Sequence, residues 1–142
     1  MDERTFRDLD LAKKVLLENE YSIVVVKNEE VLSKKQGEGI KPILEAIDEL
    51  GERMQGSSVA DKILGKASAL LFVYSKVDSV YSPQSTKTAI AVLIRAGIPG
   101  QTDRMIPYIK NKNGDDMCPF EKMLSDIDSP EDAYNILKEK IK

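Results

Sequence analysis

The residues best equipped for chemistry in this chain are few, and they gather at predicted starts of helices. In Val59-Ala60-Asp61-Lys62-Ile63-Leu64-Gly65-Lys66 a short extended segment runs into a helical pattern. Asp61 is the expected N-cap of a helix through about Tyr74. Free backbone N–H groups and the macrodipole at such a turn favour an anion. Lys62 and Lys66 would share one side of that helix, and two ammonium groups there suit a phosphate or a carboxylate. The plainer reading makes Asp61 only a cap and both lysines solubilising surface residues. Gly65-Lys66 is not a P-loop, because Ala60 and Ala67 stand where that motif needs a glycine and a Ser or Thr.

Asp116-Met117-Cys118-Pro119-Phe120-Glu121 places a thiol at an N-cap position, with Pro119 and Glu121 in the first turn. A helix N-terminus favours the thiolate, so Cys118 is a candidate nucleophile. Glu121 is a candidate acid or base, or a capping residue. The plainer reading is a buried cysteine in a well-capped helix. No histidine exists to activate the thiol, which excludes a papain-like dyad. In Tyr81-Ser82-Pro83-Gln84-Ser85, Ser82-Pro83 reads as a helix start, and Ser82 could add a hydroxyl to a pocket. Lys41, in Gly39-Ile40-Lys41-Pro42, opposes the helix dipole from the first turn, a placement that is sometimes functional and otherwise merely tolerated.

Composition narrows the chemistry further. The 142 residues carry a net charge of −3, one cysteine and no histidine. A mildly acidic domain exerts no strong pull on nucleic acid, so none is expected as a partner. One thiol and no imidazole cannot build the common zinc sites, and no Asp-x-Asp-x-Asp-Gly loop offers calcium ligands. No metal or other cofactor is expected, with an all-oxygen magnesium or calcium site left open as the alternative. A lone cysteine precludes an intramolecular disulfide and points to a reducing compartment. The charged start Met1-Asp2-Glu3-Arg4 does not read as a signal peptide, and Ala67 to Tyr74 is too short to span a bilayer. The expectation is a single cytoplasmic domain over residues 1–142, away from membranes.

These residues must be positioned by a run of elements. Leu9, Leu11, Val15 and Leu16 mark a helix over 7–19. Tyr21 to Val26 reads as a buried strand, joined by the polar turn Lys27 to Glu30 to a partner beginning Val31-Leu32-Ser33. Ile40, Ile43, Leu44, Ile47 and Leu50 form one helical face stopped by Gly51. After Gly65 the helical pattern is apolar nearly all round, so that helix should be central. Val77 to Tyr81 reads as a strand, Gln84 to Ala96 as a helix, and Met105 to Ile109 as an edge strand. Asn113 to Asp116 is a turn, Cys118-Pro119 opens a short helix, and Ser129-Pro130 starts the last one. A hairpin followed by βα alternation implies an α/β fold, a mixed sheet with helices on both faces.

Gly39-Ile40-Lys41-Pro42, Ala60 to Ala67, Val80-Tyr81-Ser82-Pro83 and Cys118-Pro119-Phe120-Glu121-Lys122 together resemble an uncharacterised bacterial and archaeal family with a cytidine-deaminase-like fold. The resemblance covers about residues 8 to 125. It implies a three-layer α/β/α sandwich with a five-stranded mixed sheet. Zinc deaminases open the helix after the hairpin with His/Cys-x-Glu and the next with Pro-Cys-x-x-Cys. Here those positions read Gly39-Ile40-Lys41-Pro42 and Asp61-Lys62-Ile63-Leu64. Neither carries a zinc ligand, so the resemblance implies the fold without zinc-hydroxide deamination.

The leading expectation is a deaminase-fold protein that binds a small anionic molecule through Lys41, Asp61, Lys62, Lys66 and Ser82. The alternative is a metal-independent enzyme using Cys118 as nucleophile or Glu121 as base. A structural or homo-oligomer-forming module is a third. In α/β sheets, ligands gather where strands hand over to helices, and the candidates all lie at such handovers.

Overall fold

The computed structural model describes residues 1–141. Its order is α1 (Glu3–Glu18), β1 (Ile23–Lys27), β2 (Glu30–Lys35), α2 (Lys41–Leu50), β3 (Ser58–Asp61), α3 (Lys66–Ser75), β4 (Ser79–Thr86), α4 (Lys87–Arg95), β5 (Gly100–Ile106), α5 (Pro119–Met123) and α6 (Pro130–Ile141). The strands form one five-stranded sheet in the order β2-β1-β3-β4-β5. The β1 strand is antiparallel to both β2 and β3, while the β3–β4 and β4–β5 pairs are parallel.

The period of two in the strands divides the core between two layers. Ile23, Val25, Val59 and Val80 face α2, α3, α4 and α6. Val24, Val26, Ala60 and Tyr81 face α1, meeting Leu9, Ala12 and Leu16. The sandwich is thus lopsided, with one helix on one face and the rest of the helical layer on the other. The α3 helix is buried from Lys66 to Phe72, which gives its apolar circumference the central place its sequence demands.

Local chemistry explains the boundaries, including three that differ from the sequence reading. The α1 helix starts at Glu3 because the Asp2 side chain accepts from Thr5 N–H at 2.8 Å. Asp61 does not cap α3; it is the last residue of β3. Residues beyond it remain tied to the sheet, since Leu64 N–H donates to Gln84 O at 2.9 Å and Thr86 N–H to Leu64 O at 3.0 Å. The helix therefore begins only at Lys66. Ser82-Pro83 likewise opens no helix, because β4 runs on to Thr86, whose hydroxyl caps α4 by accepting from Ala89 N–H. Finally, the edge strand β5 occupies Gly100–Ile106, and Pro107 follows its end.

Candidate functional site

A cavity of about 710 Å³ opens beside the carboxyl end of β3. Three segments build it. The loop into α2 supplies Gly37 to Lys41, the β3–α3 connection supplies Asp61 to Ile63 with Ser68 behind it, and the chain from Ile109 to Glu121 closes the remaining side. That last wall is an ordered excursion. Cys118 N–H donates to Ile109 O and Asn111 N–H to Asp116 O, both at 2.8 Å, and the Asn111 side chain accepts from Gly114 N–H. Ile40, Ile63, Ile109, Phe120 and Ile141 give the cavity an apolar lining.

Ile40, Asp61 and Ser68 are the buried members of the lining, each 5 % exposed, and they form its inner end. Burial pushes the Asp61 carboxyl up to about 8. Hydrogen bonding from the Ser68 hydroxyl and the Ile63 and Lys62 N–H groups acts the other way, and the charge of Glu121 adds to the rise. Its Oδ2 has no hydrogen-bond partner. Near neutral pH this carboxyl is mostly a neutral acid.

Glu121 serves the fold directly. Its two oxygens accept from the N–H groups of Lys66 and Ala67, each at 2.8 Å, so the cap of α3 comes from a distant segment. Gly65 makes this approach possible: a Cβ there would lie 2.2 Å from Glu121 Oε1 and 2.5 Å from Ile109 Cδ1. Gly39, at φ +66°, holds the opposite wall in a left-handed turn against Phe120.

The candidates from the sequence separate cleanly. Lys41, Asp61, Lys62, Cys118 and Glu121 line the cavity. Lys66 does not share a helix side with Lys62; its ammonium group donates to Ser125 O at 3.1 Å and pairs with Asp128 at 3.2 Å. Ser82 is buried within β4 and donates to Gln84 O at 2.7 Å. The structure also adds Ser68 and Lys110, which no motif singled out. The alternation of Lys and Asn over Lys110-Asn111-Lys112-Asn113 is the one local signal that marks this polar wall.

A family model described as a domain of unknown function, DUF1893, matches residues 11–141. The chain belongs to the DUF1893 family. A solved DUF1893 family protein from Thermotoga maritima is similar at 27 % identity and a TM-score of 0.86, over 99 % of this chain and 92 % of that one. The Acinetobacter baumannii protein RibD, in its form 2, is similar at 18 % identity and a TM-score of 0.51, over 70 % of this chain and 36 % of RibD. No curated protein matches the chain. This DUF1893 member has the cytidine-deaminase-like fold, the three-layer α/β/α sandwich that the sequence motifs imply. Zinc deaminases of that fold hold their metal at the openings of two helices. Here α2 opens with Lys41 and α3 with Gly65-Lys66-Ala67, and the described residues contain no cluster of three Cys, Asp or Glu side chains able to hold a metal ion. That donor set does not fit zinc. Among the described residues, no helix is long and apolar enough to cross a membrane.

Proposed function

We propose that this DUF1893 protein binds a small, partly apolar anion in the cavity at the end of β3. The observation that carries the reading is a surplus of ammonium groups at its mouth. Among the described residues, Lys41, Lys62 and Lys110 line the cavity with no carboxylate in ion-pair distance. The acids nearby are already engaged or neutral. Glu38 pairs with Lys112 at 3.1 Å, Glu121 caps α3, and Asp61 is mostly protonated. The volume falls within the usual range for small-molecule sites, about 300–1,000 Å³. Lys66 and Ser82 have no part in this reading, since their polar groups are engaged elsewhere. A cytoplasmic role without nucleic acid accords with the single thiol and the net charge of −3.

Benzoate, an apolar ring bearing one carboxylate, is the simplest probe. It should raise the melting temperature above that in chloride at matched ionic strength, and the triple variant Lys41→Met, Lys62→Met, Lys110→Met should lose the gain. Equal melting in benzoate and chloride, or an undiminished shift in the variant, overturns the reading. A second reading, metal-independent catalysis, draws on Cys118, which is free, half-buried and part of the same wall. Glu121 fits it poorly as a base, because both oxygens are committed to α3. Alkylation of Cys118 by iodoacetamide faster than that of an unfolded cysteine peptide, and slowed by benzoate, would favour catalysis; a thiol inert in the folded state counts against it.

A further inference from the structure

We propose that the hairpin from Ile109 to Met117 is a lid over this cavity, fastened by the ion pair between Lys112 and Glu38. The inference rests on the anion-binding reading above and adds to it a control on entry and release. The hairpin is built to move as one piece. Lys110 and Met117 face each other across an antiparallel bridge, where Cys118 N–H donates to Ile109 O and Asn111 N–H to Asp116 O. The tip is tied inward, because Asn111 Oδ1 accepts from both Gly114 and Asp115 N–H. Pro107, just past the end of β5, and Pro119, in the first turn of α5, bound the segment. Not one of residues 107–118 is buried. A segment with few buried apolar contacts and its own closed set of hydrogen bonds lies at the low-stability end of a fold.

Little holds this lid down. Ile109 rests a methyl group where Gly65 leaves room, and Asp116 pairs with Lys122 of α5 near the base. Among the described residues, the one polar link from the hairpin to the opposite wall is Lys112 to Glu38, at 3.1 Å. Both side chains are exposed. Glu38 is carried between Gly37 and Gly39, at φ of 137° and 66°, so the fastening joins a hairpin to a turn rather than two regular elements. Gly37, Glu38, Lys41 and Lys112 line both the main cavity and a neighbouring one of about 370 Å³. The ion pair therefore stands as a bar between the two, and lifting it joins them into one open trough. Lys110 belongs to the lid, whereas Lys41 and Lys62 belong to the other walls. An anion that engages all three favours the closed state.

Two measurements test the lid, and the first needs no ligand. In amide relaxation dispersion by NMR, residues 109–117 should share one microsecond-to-millisecond exchange process that α2 does not show. Lys112→Glu sets two acids face to face, and it should raise the open population about two- to fivefold, the scale of one exposed ion pair. The double variant Glu38→Lys, Lys112→Glu restores the pair and should bring the population back. The second measurement is the rate at which benzoate leaves, read from NMR line shapes. Glu38→Gln takes an acid from the mouth, and by charge alone it would hold benzoate longer. With the fastening lost, release should instead quicken about two- to fivefold. A hairpin without exchange, an open population indifferent to Lys112→Glu, or unchanged or slower release from Glu38→Gln overturns the lid and leaves the anion site standing. If benzoate does not bind the wild-type protein, the anion site is overturned, and the relaxation measurement alone decides the lid.

Discussion

Asp8, in α1, is fully buried, and its oxygens accept from Asn28 N–H at 2.9 Å and Glu29 N–H at 2.7 Å. Asp61, buried nearly as well at the end of β3, keeps Oδ2 without a partner beside a cavity. The first carboxylate is consumed by the fold. It pins the β1–β2 turn, where Asn28 and Glu29 adopt φ of 53° and 62° and so turn two N–H groups toward the two oxygens of one carboxylate. Arg4 stands 4.0 Å from the same carboxylate. The second is retained in spite of the fold, since burial raises the free energy of its charged form. Two buried aspartates, one in a helix and one in a strand, thus show the difference between a polar group that stabilises a turn and one that is kept at a cost. The second kind is the better guide to function.

The sharpest way to break this contrast is to replace each aspartate by asparagine. For Asp61, the unfolded chain loses its proton near the ordinary value of 3.8 and the folded protein near 8, so between these values the native state holds more protons. Raising the pH across that window therefore removes stability, which is fully retained only below it. Asp61→Asn cannot ionise. It should be more stable than the wild type by several kcal/mol at about pH 9, and the gain should shrink toward zero near pH 4. Urea unfolding at a series of pH values measures this. A gain that did not depend on pH would mean that Asp61 is not held as a neutral acid.

Asp8→Asn should act in the opposite direction. An asparagine has one acceptor oxygen, so one of the two turn N–H groups would face an amide NH₂. The loss should be about 2 kcal/mol by urea unfolding, the range for an unsatisfied buried donor. A neutral result would move Asp8 into the same class as Asp61. Glu121→Gln presents the same problem at the start of α3, where both oxygens accept backbone N–H groups, and it also removes a favourable charge from the helix N-terminus. There the expected loss is about 1–2 kcal/mol, because part of the helix terminus borders the open cavity.

The elements set by local pattern were legible in the sequence. The α2 face from Ile43 to Leu50, the buried β1 strand and the Ser129-Pro130 start of α6 all follow from periods and punctuation within a few residues. Asp61 was legible as a site candidate but not as what it is. An aspartate ahead of a helical pattern looks like an N-cap, and the pairing of Leu64 with Ser85 that delays the helix is a contact between distant segments. The true cap, Glu121, lies 55 residues from Lys66, beyond any local window. The Ser82-Pro83 pair misled for a related reason. Its signal is that of a helix start, yet β5 pairs with β4 on both sides of Pro83, at Ser82 and Gln84.

Lys66 gives the smallest predicted effect and the finest test of the boundary between site and scaffold. Its ammonium group reaches away from the cavity lining to Ser125 O and to Asp128, whose side chain is 83 % exposed. A methionine of similar length keeps most of the packing of the stem against α3's neighbours. It leaves Asp128 free in water rather than buried without a partner, so the large penalty of an orphaned buried charge does not arise. Lys66→Met should therefore change stability by no more than about 1 kcal/mol. It should also leave the benzoate-dependent rise in melting temperature intact, whereas Lys41→Met, Lys62→Met and Lys110→Met each erode it. A Lys66→Met protein that lost the benzoate response would place the anion at the opening of α3 instead of at the cavity mouth, and the division between the two regions would have to be redrawn there.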